Sequence, residues 1–352
     1  MTEPLYRSIK IKTSHGSIVT PALIPVVATS YGIWDHWIDR DFEAPWDIAQ
    51  ATILSLYHIL PYRRKEDVFR KGIHKVLGSK RPIVLDSGGF QYMKKGIELD
   101  PADVLMYQKE SGCDIAVTFD YPITPGLEKD ERTNRLDRSI SVANDMLSKR
   151  EGMTLYGAIH GSNPDEVVNY INRLEDGFEG YGIGSLVPRR SHYLHLSQMI
   201  HAVRSNTSKP LHAFGITGFP AMFALAYLGV DTFDSWTYIV AAAFKEYVHP
   251  EKLNRLKGLK NLDGLPECDC PVCQDHGLED FIGPDSRSEI LLSLHNLHVF
   301  LREVRNVREA IGENELERYI LSRAKGGNRN IERAFKAAKK VERENNQPLS
   351  YR

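Results

Sequence analysis

The chain has 352 residues, of which 42% are hydrophobic and 26% are charged, and its formal net charge is -1 at pH 7. This composition is typical of a globular protein with a sizeable core, and it excludes a disordered chain, a coiled coil and a collagen. Because the net charge is close to zero, binding to nucleic acid would have to come from local basic patches.

The N-terminal segment alternates between apolar and polar residues around a short polar turn. Ile9 and Ile11 precede the turn at Ser14–Gly16, and Ile18 follows it, which predicts a β-hairpin. The sequence contains no run of 18 apolar residues that could span a membrane. Its first residues contain no apolar core of a signal peptide. We therefore expect a cytoplasmic protein.

From about residue 20 to residue 250, short apolar runs alternate with longer helix-like segments. This alternation predicts parallel strands joined by crossover helices. Seven or eight such units in about 250 residues match the size of a (β/α)8 TIM barrel, and a doubly wound open sheet is the alternative. The predicted strands are 51–59, 83–86, 115–120, 155–160, 180–186, 211–215 and 230–235.

Several of these apolar runs end at or beside a polar residue, namely Asp86, Asp120, His160 and Asp234. In a TIM barrel the carboxyl ends of the strands form the active face, so these side chains are expected to converge there. An Asp that follows a strand is also a common helix N-cap, and this is the competing interpretation for each Asp taken alone.

The composition changes after residue 250, and we expect the chain to divide into three parts. Residues 1–250 are predicted to form the barrel with its hairpin, and residues 251–312 a zinc-binding subdomain. Residues 313–352 are rich in Lys and Arg and are interrupted by Gly326 and Gly327, which predicts basic C-terminal helices.

Three of the four cysteines lie within six residues, and they are Cys268, Cys270 and Cys273. Thiolates at this spacing are typical of a metal site, and Zn2+ takes four N or S ligands in a tetrahedron. The fourth ligand is then a histidine, and the candidates are His276, His295 and His298. A closed set of this kind predicts one structural Zn2+ per chain.

The segment Ile83–Gln91, IVLDSGGFQ, combines a strand, a carboxylate and two glycines. The strand stops at Asp86, and the glycines then let the backbone approach a ligand closely. Asp120 and Asp234 end later strands. Paired carboxylates suit glycosidic chemistry, because one can attack or stabilise the anomeric carbon while the other transfers a proton.

Several segments together resemble the tRNA-guanine transglycosylase family. They are DSGGFQ at 86–91, FDYPITPG at 119–126, GYGIGSLVP at 180–188, LHAFGITGFP at 211–220, and the cysteine cluster followed by HNL at 295–297. The resemblance extends from about residue 8 to about residue 310. It implies a TIM barrel with a zinc subdomain, and a pentosyl transfer that exchanges guanine in a polynucleotide for a 7-deazaguanine.

The resemblance also implies roles for individual residues. Asp234 is then the nucleophile on C1′ of the target nucleotide, Asp86 the general acid and base, and His295 the fourth zinc ligand. The substrate-binding residues are Asp120, Phe90, His160, Gly161, Ser185, Leu186, Phe214 and Gly215, with the two phenylalanines sandwiching the base. No nucleotide or redox cofactor is implied.

The sequence departs from the family pattern at two places. After Asp234 the chain continues SWTYIV, which is closer to the archaeal than to the bacterial pattern, and His160 replaces the usual Gln. We expect a core of this length to leave no room for the further C-terminal domains that grip tRNA in archaeal members. These features favour the branch that inserts bases such as preQ0 into DNA. The alternatives are a tRNA-modifying enzyme and a catalytically silent nucleic-acid-binding subunit.

Phosphate contacts are predicted from local clusters of basic residues. Arg63, Arg64 and Lys65 begin a basic segment before the DSGGFQ strand, and Arg189 and Arg190 follow the base-contacting segment. Such clusters are the electrostatic signature of a contact with a nucleic-acid backbone. The resemblance further favours a homodimer or a complex with partner proteins of a modification system.

Overall fold

The computed structural model describes residues 4–28, 34–39, 41–186, 191–215 and 218–346. Its strands are β1 (Lys10–Thr13), β2 (Gly16–Val19), β3 (Ala22–Pro25), β4 (Thr52–Ser55), β5 (Ile83–Asp86), β6 (Ile115–Val117), β7 (Leu155–Ile159), β8 (Gly180–Ile183), β9 (Leu211–Ala213), β10 (Thr232–Ser235), β11 (Tyr247–Val248) and β12 (Arg255–Leu256). Its α-helices are α1 (Trp34–Ile38), α2 (Pro45–Ile48), α3 (Leu56–Ile59), α4 (Lys65–Lys71), α5 (Ile73–Leu77), α6 (Gly89–Lys95), α7 (Pro101–Ser111), α8 (Lys129–Lys149), α9 (Pro164–Arg173), α10 (Tyr193–Ser205), α11 (Phe219–Tyr227), α12 (Thr237–Ala243), α13 (Pro271–Asp275), α14 (Leu278–Ile282), α15 (Ser286–Gly312), α16 (Leu316–Lys325) and α17 (Arg329–Asn346).

Within this described part of the chain, eight strands form one parallel sheet in the order β3-β10-β9-β8-β7-β6-β5-β4. Val26 forms an isolated parallel bridge with Ile53, and the Val27 amide donates a hydrogen bond to the Ile53 carbonyl at 2.9 Å. These contacts join the two terminal strands, so the sheet closes on itself. The expected TIM barrel is confirmed, and the open-sheet alternative is wrong.

Side chains along each strand alternate between the interior of the barrel and the surrounding helices. In β5, Ile83 and Leu85 pack in the core under the helices, whereas Val84 packs in the interior. Asp86 follows Val84 by two residues and therefore faces the interior at the carboxyl end of the strand. The same alternation applies in β10, where Asp234 follows Thr232 by two residues. Asp234 therefore also faces the interior at the carboxyl end of its strand.

The N-terminal hairpin, β1 and β2, covers the amino end of the barrel. Ile11 and Ile18 belong to the interior core together with Val84. The turn of the hairpin reaches the start of β6, because the His15 amide donates a hydrogen bond to Asp114, the residue before that strand. The hairpin thus fills the amino end of the barrel.

One barrel strand was not predicted, and most of the predicted strands extend beyond the observed ones, as 115–120 does beyond Ile115–Val117. The first barrel strand, β3, was not predicted, because Pro21 precedes it and Pro25 ends it, and proline is uncommon within strands. The run 51–59 is divided between strand β4 and helix α3. The division falls at Ser55, whose hydroxyl accepts a hydrogen bond from the Tyr57 amide and so caps the helix.

The C-terminal helices pack on the barrel wall. Helix α15 packs against α12, and α17 packs against α10 and α11. The buried side chains of α17 recur at helical spacing, and they are Ile331, Ala334, Phe335, Ala338 and Val341. Among the described residues, no helix combines the length and the apolar character needed to cross a membrane.

Candidate active site

A cavity of about 370 Å³ opens at the carboxyl ends of the barrel strands. Its volume is within the range of small-molecule sites. It brings together most of the residues that the sequence singled out, namely Asp86, Asp120, Asp234, Phe90, His160, Ser185, Phe214 and Gly215. Gly161 and Leu186 are buried and are not among the described residues that line it. Arg189 and Arg190 lie outside the described residues.

Asp86 sits at the end of β5, in register with Ser55 at the end of β4. The amide of Gly88 donates a hydrogen bond to Asp86 Oδ2 at 3.0 Å. Burial, followed by the charges of Asp120 and Asp234, raises the pKa of Asp86 to about 7. A carboxyl group with this pKa can both donate and accept a proton near neutral pH.

Two polar side chains lie beside the carboxylate of Asp120. The hydroxyl of Ser87 donates a hydrogen bond to its Oδ1 at 3.3 Å, and Nε2 of His160 lies 2.6 Å from its Oδ2. The other ring nitrogen of His160, Nδ1, lies 2.9 Å from the hydroxyl oxygen of Ser185. The ring of His160 therefore lies between the carboxylate of Asp120 and the hydroxyl of Ser185.

Gly182 lies in β8 and Gly184 follows the end of this strand, and both make room for rings that border the cavity. A Cβ atom on Gly182 would lie 2.3 Å from the ring of Phe214, and one on Gly184 would lie 2.5 Å from the ring of His160. Both distances are too short for any side chain. The GYGIG segment thus allows the two rings to lie directly against the strand.

Asp234 is bound through one of its two carboxylate oxygens. The amide of Gly215 donates a hydrogen bond to Oδ1 at 2.6 Å, and Nε2 of His212 lies 3.3 Å from the same oxygen. His212 is buried, and its Nδ1 lies 2.9 Å from the hydroxyl oxygen of Thr232.

Sequence reasoning missed several residues at this site. Ser55, His58 and Trp236 line the cavity, and His212 contacts Asp234. His212 lies within LHAFGITGFP and Trp236 follows Asp234 by two residues, but no local pattern shows what these side chains contact. Their contacts follow from the pairing of strands.

A group that could hold a metal ion consists of Cys268, Cys270, Cys273 and His295. Nδ1 of His295 lies 3.8, 3.4 and 3.2 Å from the three sulfur atoms in that order. Zn–S and Zn–N bonds of about 2.3 and 2.0 Å give an N···S separation of about 3.5 Å in a tetrahedron, so the spacing fits a zinc ion. His276 lies beside Asp280 instead, and His298 is not part of the group.

Two further contacts orient His295, the histidine of this group. Nε2 of His295 lies 2.9 Å from the carbonyl oxygen of Val248. Because a carbonyl can only accept a hydrogen bond, Nε2 carries the proton and Nδ1 is left to bind a metal. The ring of Tyr247 stacks on that of His295 at 3.8 Å between centroids.

A second polar cluster lies at the amino end of the barrel, away from the cavity. Nδ1 of His15 and Nε2 of His74 lie 3.0 and 2.9 Å from the two oxygens of Asp114, and the two rings stack at 3.5 Å. Burial alone would raise the pKa of Asp114, but hydrogen bonds from His74, the Ile83 amide and His15 lower it to about 2. The cluster joins the hairpin turn to the barrel.

Comparisons with known proteins cover most of the chain. Residues 3–327 match the family model described as queuine tRNA-ribosyltransferase (TGT). The chain is 31% identical to the tRNA-guanine(15) transglycosylase of Methanothermobacter thermautotrophicus, over 92% of the chain and 49% of that protein. It is 31% identical to the protein of the same name from Sulfolobus acidocaldarius, over 89% of this chain and 63% of that protein. It is 32% identical to the protein from Archaeoglobus fulgidus, over 91% of this chain and 66% of that protein. The chain thus spans about half to two thirds of the length of these curated relatives.

Proposed function

The chain belongs to the queuine tRNA-ribosyltransferase family, and from this membership we propose that it is a transglycosylase that replaces guanine in tRNA with a 7-deazaguanine such as preQ0. The observation that carries the proposal is the meeting of Asp86, Asp120 and Asp234 in one cavity of the size of a small-molecule site. The names of the three relatives favour tRNA over the DNA substrate that the sequence led us to expect.

In the first step, a carboxylate oxygen of Asp234 attacks C1′ of the target nucleotide. The bond between C1′ and N9 of guanine breaks, and its electron pair leaves with the base. Asp86 donates a proton to the departing guanine, which its pKa of about 7 allows. The nucleic acid is then held as an ester on Asp234.

In the second step, the 7-deazaguanine takes the place of guanine in the cavity. Asp86, now ionised, accepts a proton from the entering base, whose nitrogen attacks C1′. The bond between C1′ and Asp234 breaks, which regenerates both carboxyl groups in their starting forms. Two displacements at the same carbon retain its configuration, and one glycosidic bond replaces another, so no external energy source is needed.

Base recognition is assigned to Asp120 and to the aromatic rings of the cavity. Guanine and 7-deazaguanine carry N1–H and a 2-amino group side by side, and a carboxylate accepts from both. Phe90 and Phe214 line the same cavity and offer flat faces to a base that has left its stack. We assign His160 and Ser185 to the shaping of this base site, and Gly161, Leu186 and Gly215 to the backbone around it.

We further propose that Cys268, Cys270, Cys273 and His295 bind one structural Zn2+. Three sulfur donors and one nitrogen donor fill the tetrahedron of zinc, which leaves no position for a substrate. The barrel, the zinc-binding subdomain and the basic C-terminal helices correspond to residues 1–250, 251–312 and 313–352 in this proposal.

Phosphate contacts are assigned to Arg63, Arg64 and Lys65, together with Arg189 and Arg190. Arg63 is largely exposed and lies 3.0 Å from Asp35, and Arg64 lies 3.8 Å from Asp67. An exposed ion pair such as that of Arg63 is weak, so a phosphate group can compete for this arginine.

The test is incubation of the purified protein with labelled preQ0 and, in separate reactions, tRNA, single-stranded DNA and duplex DNA. Label in tRNA alone supports the proposal. Label in DNA alone would replace the tRNA substrate with the DNA substrate. Label in none of the three, with guanine release also missing, would overturn base exchange as the function.

A further inference from the structure

The nucleophile of the proposed reaction is contacted by a buried histidine to which no role has been assigned. His212 lies on β9 and pairs in register with Thr232 of β10, two residues before Asp234. Its ring lies between two oxygens, with Nδ1 2.9 Å from Thr232 Oγ1 and Nε2 3.3 Å from Asp234 Oδ1. The side chain of His212 is 4% exposed.

The chemistry of the two oxygens decides which nitrogen of the neutral ring carries the proton. A carboxylate oxygen can only accept a hydrogen bond, so Nε2 must be the donor toward Asp234. Nδ1 is then the acceptor, and the Thr232 hydroxyl donates to it. Thr232 thus fixes the tautomer of His212 in which Nε2–H points to the carboxylate.

The two oxygens of Asp234 are consequently unequal. Oδ1 is approached by two donors, the amide of Gly215 and the ring of His212, whereas Oδ2 receives no hydrogen bond from the described residues. Each donor withdraws electron density from the oxygen it binds and restrains its position. Oδ2 is left as the more nucleophilic oxygen, with its direction set by the bonds to Oδ1.

We propose that His212 is a positioning residue, which anchors Oδ1 of Asp234 so that Oδ2 attacks C1′. This inference rests on the proposed function. Oδ2 forms its bond to C1′ as the bond from C1′ to guanine N9 breaks, the electron pair leaves with the base, and Asp86 supplies the proton. The histidine neither gains nor loses a proton in this step.

The surroundings of Asp86 are consistent with this division of roles. Its Oδ2 accepts a hydrogen bond from the Gly88 amide, and no histidine of the described residues forms an ion pair with it. Asp120 and Asp234, by contrast, each lie beside a buried imidazole. The carboxyl group that must carry a proton is therefore the one without an imidazole donor.

The experiment compares two substitutions of His212 in the full-length protein. His212→Leu removes the donor, and kcat for base exchange is expected to fall about 10- to 100-fold, since a hydrogen bond to a charged group is lost. The KM for the base should change less than about threefold, because the base does not contact His212. His212→Gln can place an amide N–H near the position of Nε2 and should recover most of kcat.

His201→Leu is the matched control, because His201 is a partly buried histidine on α10 whose ring contacts Ser205. It should retain the wild-type kcat. If His212→Leu does not fold, Thr232→Val replaces it, because this change keeps the side-chain volume and removes the hydroxyl that fixes the tautomer. A lower kcat at unchanged KM is expected for this variant too.

If His212→Leu keeps the wild-type kcat, the inference about His212 is overturned and the proposed function is not affected. If His212→Leu does not fold, a wild-type kcat in Thr232→Val has the same meaning. The same holds if His212→Gln is as impaired as His212→Leu, since the histidine would then act through packing. No base exchange by the wild-type protein on any nucleic acid overturns the proposed function and this inference with it.

Discussion

Nε2 of His160 lies 2.6 Å from Oδ2 of Asp120, at the place where relatives of this chain were expected to carry a glutamine. A glutamine side chain both donates and accepts, whereas a neutral imidazole donates from one nitrogen only. The imidazole that contacts Asp120 also contacts Ser185 through its other nitrogen. If Asp120 binds the base as proposed, we expect His160 to influence which edge of the base it binds.

The substitution His160→Gln is expected to change base preference more than stability. An amide would offer an acceptor as well as a donor at the base site, and we expect the ratio of kcat/KM for preQ0 and guanine to change about 3- to 30-fold. Competition between the two labelled bases measures this ratio, with thermal unfolding as the stability readout. An unchanged ratio would leave His160 as a packing residue.

Asp234→Ala is expected to abolish both base exchange and the covalent adduct with nucleic acid. The variant lacks the oxygen that attacks C1′, so the rate should fall by roughly a thousandfold or more. Denaturing gel electrophoresis of the protein with labelled tRNA detects the adduct. Asp137→Ala, at an exposed ion pair with Arg173, is the control and should behave as wild type. Normal turnover of Asp234→Ala would remove this residue as the nucleophile.

The protonation of Asp86 predicts how activity depends on pH. Because burial raises the pKa of Asp86 to about 7, the proton needed by the departing guanine is lost as the pH rises through 7. The rate of guanine release should therefore fall on the alkaline side with a midpoint near pH 7. Single-turnover release from labelled tRNA measures this step. A rate that stays constant from pH 6 to pH 9 would contradict the acid role.

The same carboxyl group predicts a trade-off between function and stability. An unfolded Asp ionises near pH 4, whereas Asp86 in the folded protein ionises near pH 7, so folding is disfavoured progressively between these values and by a constant amount above 7. Asp86→Asn removes this cost. We expect it to be more stable than wild type at pH 8 by on the order of 4 kcal/mol, because the shift is about three pKa units at about 1.4 kcal/mol each, and by less at pH 5. Urea unfolding at both pH values tests the difference, and an equal effect at both would contradict it.

His295→Ala is expected to lower the zinc content from about one ion per chain and to reduce thermal stability, because a structural zinc contributes its binding free energy to folding. His298→Ala, one turn further along α15, is the matched control and should keep its zinc. Metal analysis after gel filtration gives the content. Equal zinc in the wild type and in His295→Ala would exclude His295 as the fourth ligand.

Substituting Arg63 and Arg64 together by Glu is expected to raise the KM for tRNA with little effect on kcat. Each phosphate contact that is lost should reduce the slope of log affinity against log salt by about one. Lys149→Glu is the control, because Lys149 ends α8 at the amino end of the barrel, opposite the cavity. An unchanged salt dependence would place the phosphate contacts elsewhere.

Some elements could be predicted from the sequence at residue level because local signals define them. Helix α7, at Pro101–Ser111, has such signals at both ends. It has an Asp100 cap that accepts a hydrogen bond from the Ala102 amide, a proline at its first position and Gly112 at its end. Strand β5 was likewise expected at Ile83–Asp86, since a short apolar run stops there at a charged residue.

By itself, the sequence determined the class of fold, the residues able to form a zinc site and the carboxyl groups available for chemistry, because periodicity, caps and residue types are local properties. Only the tertiary structure decided which partners surround those groups. The proximity of Ser55 to Asp86 and of His212 to Asp234 depends on the register between neighbouring strands, and the meeting of Asp86 with Asp234 depends on closure of the barrel. Such contacts join residues that are distant in the chain. Many strand registers have similar local energies, and the surrounding packing selects one of them. No local sequence pattern encodes that packing.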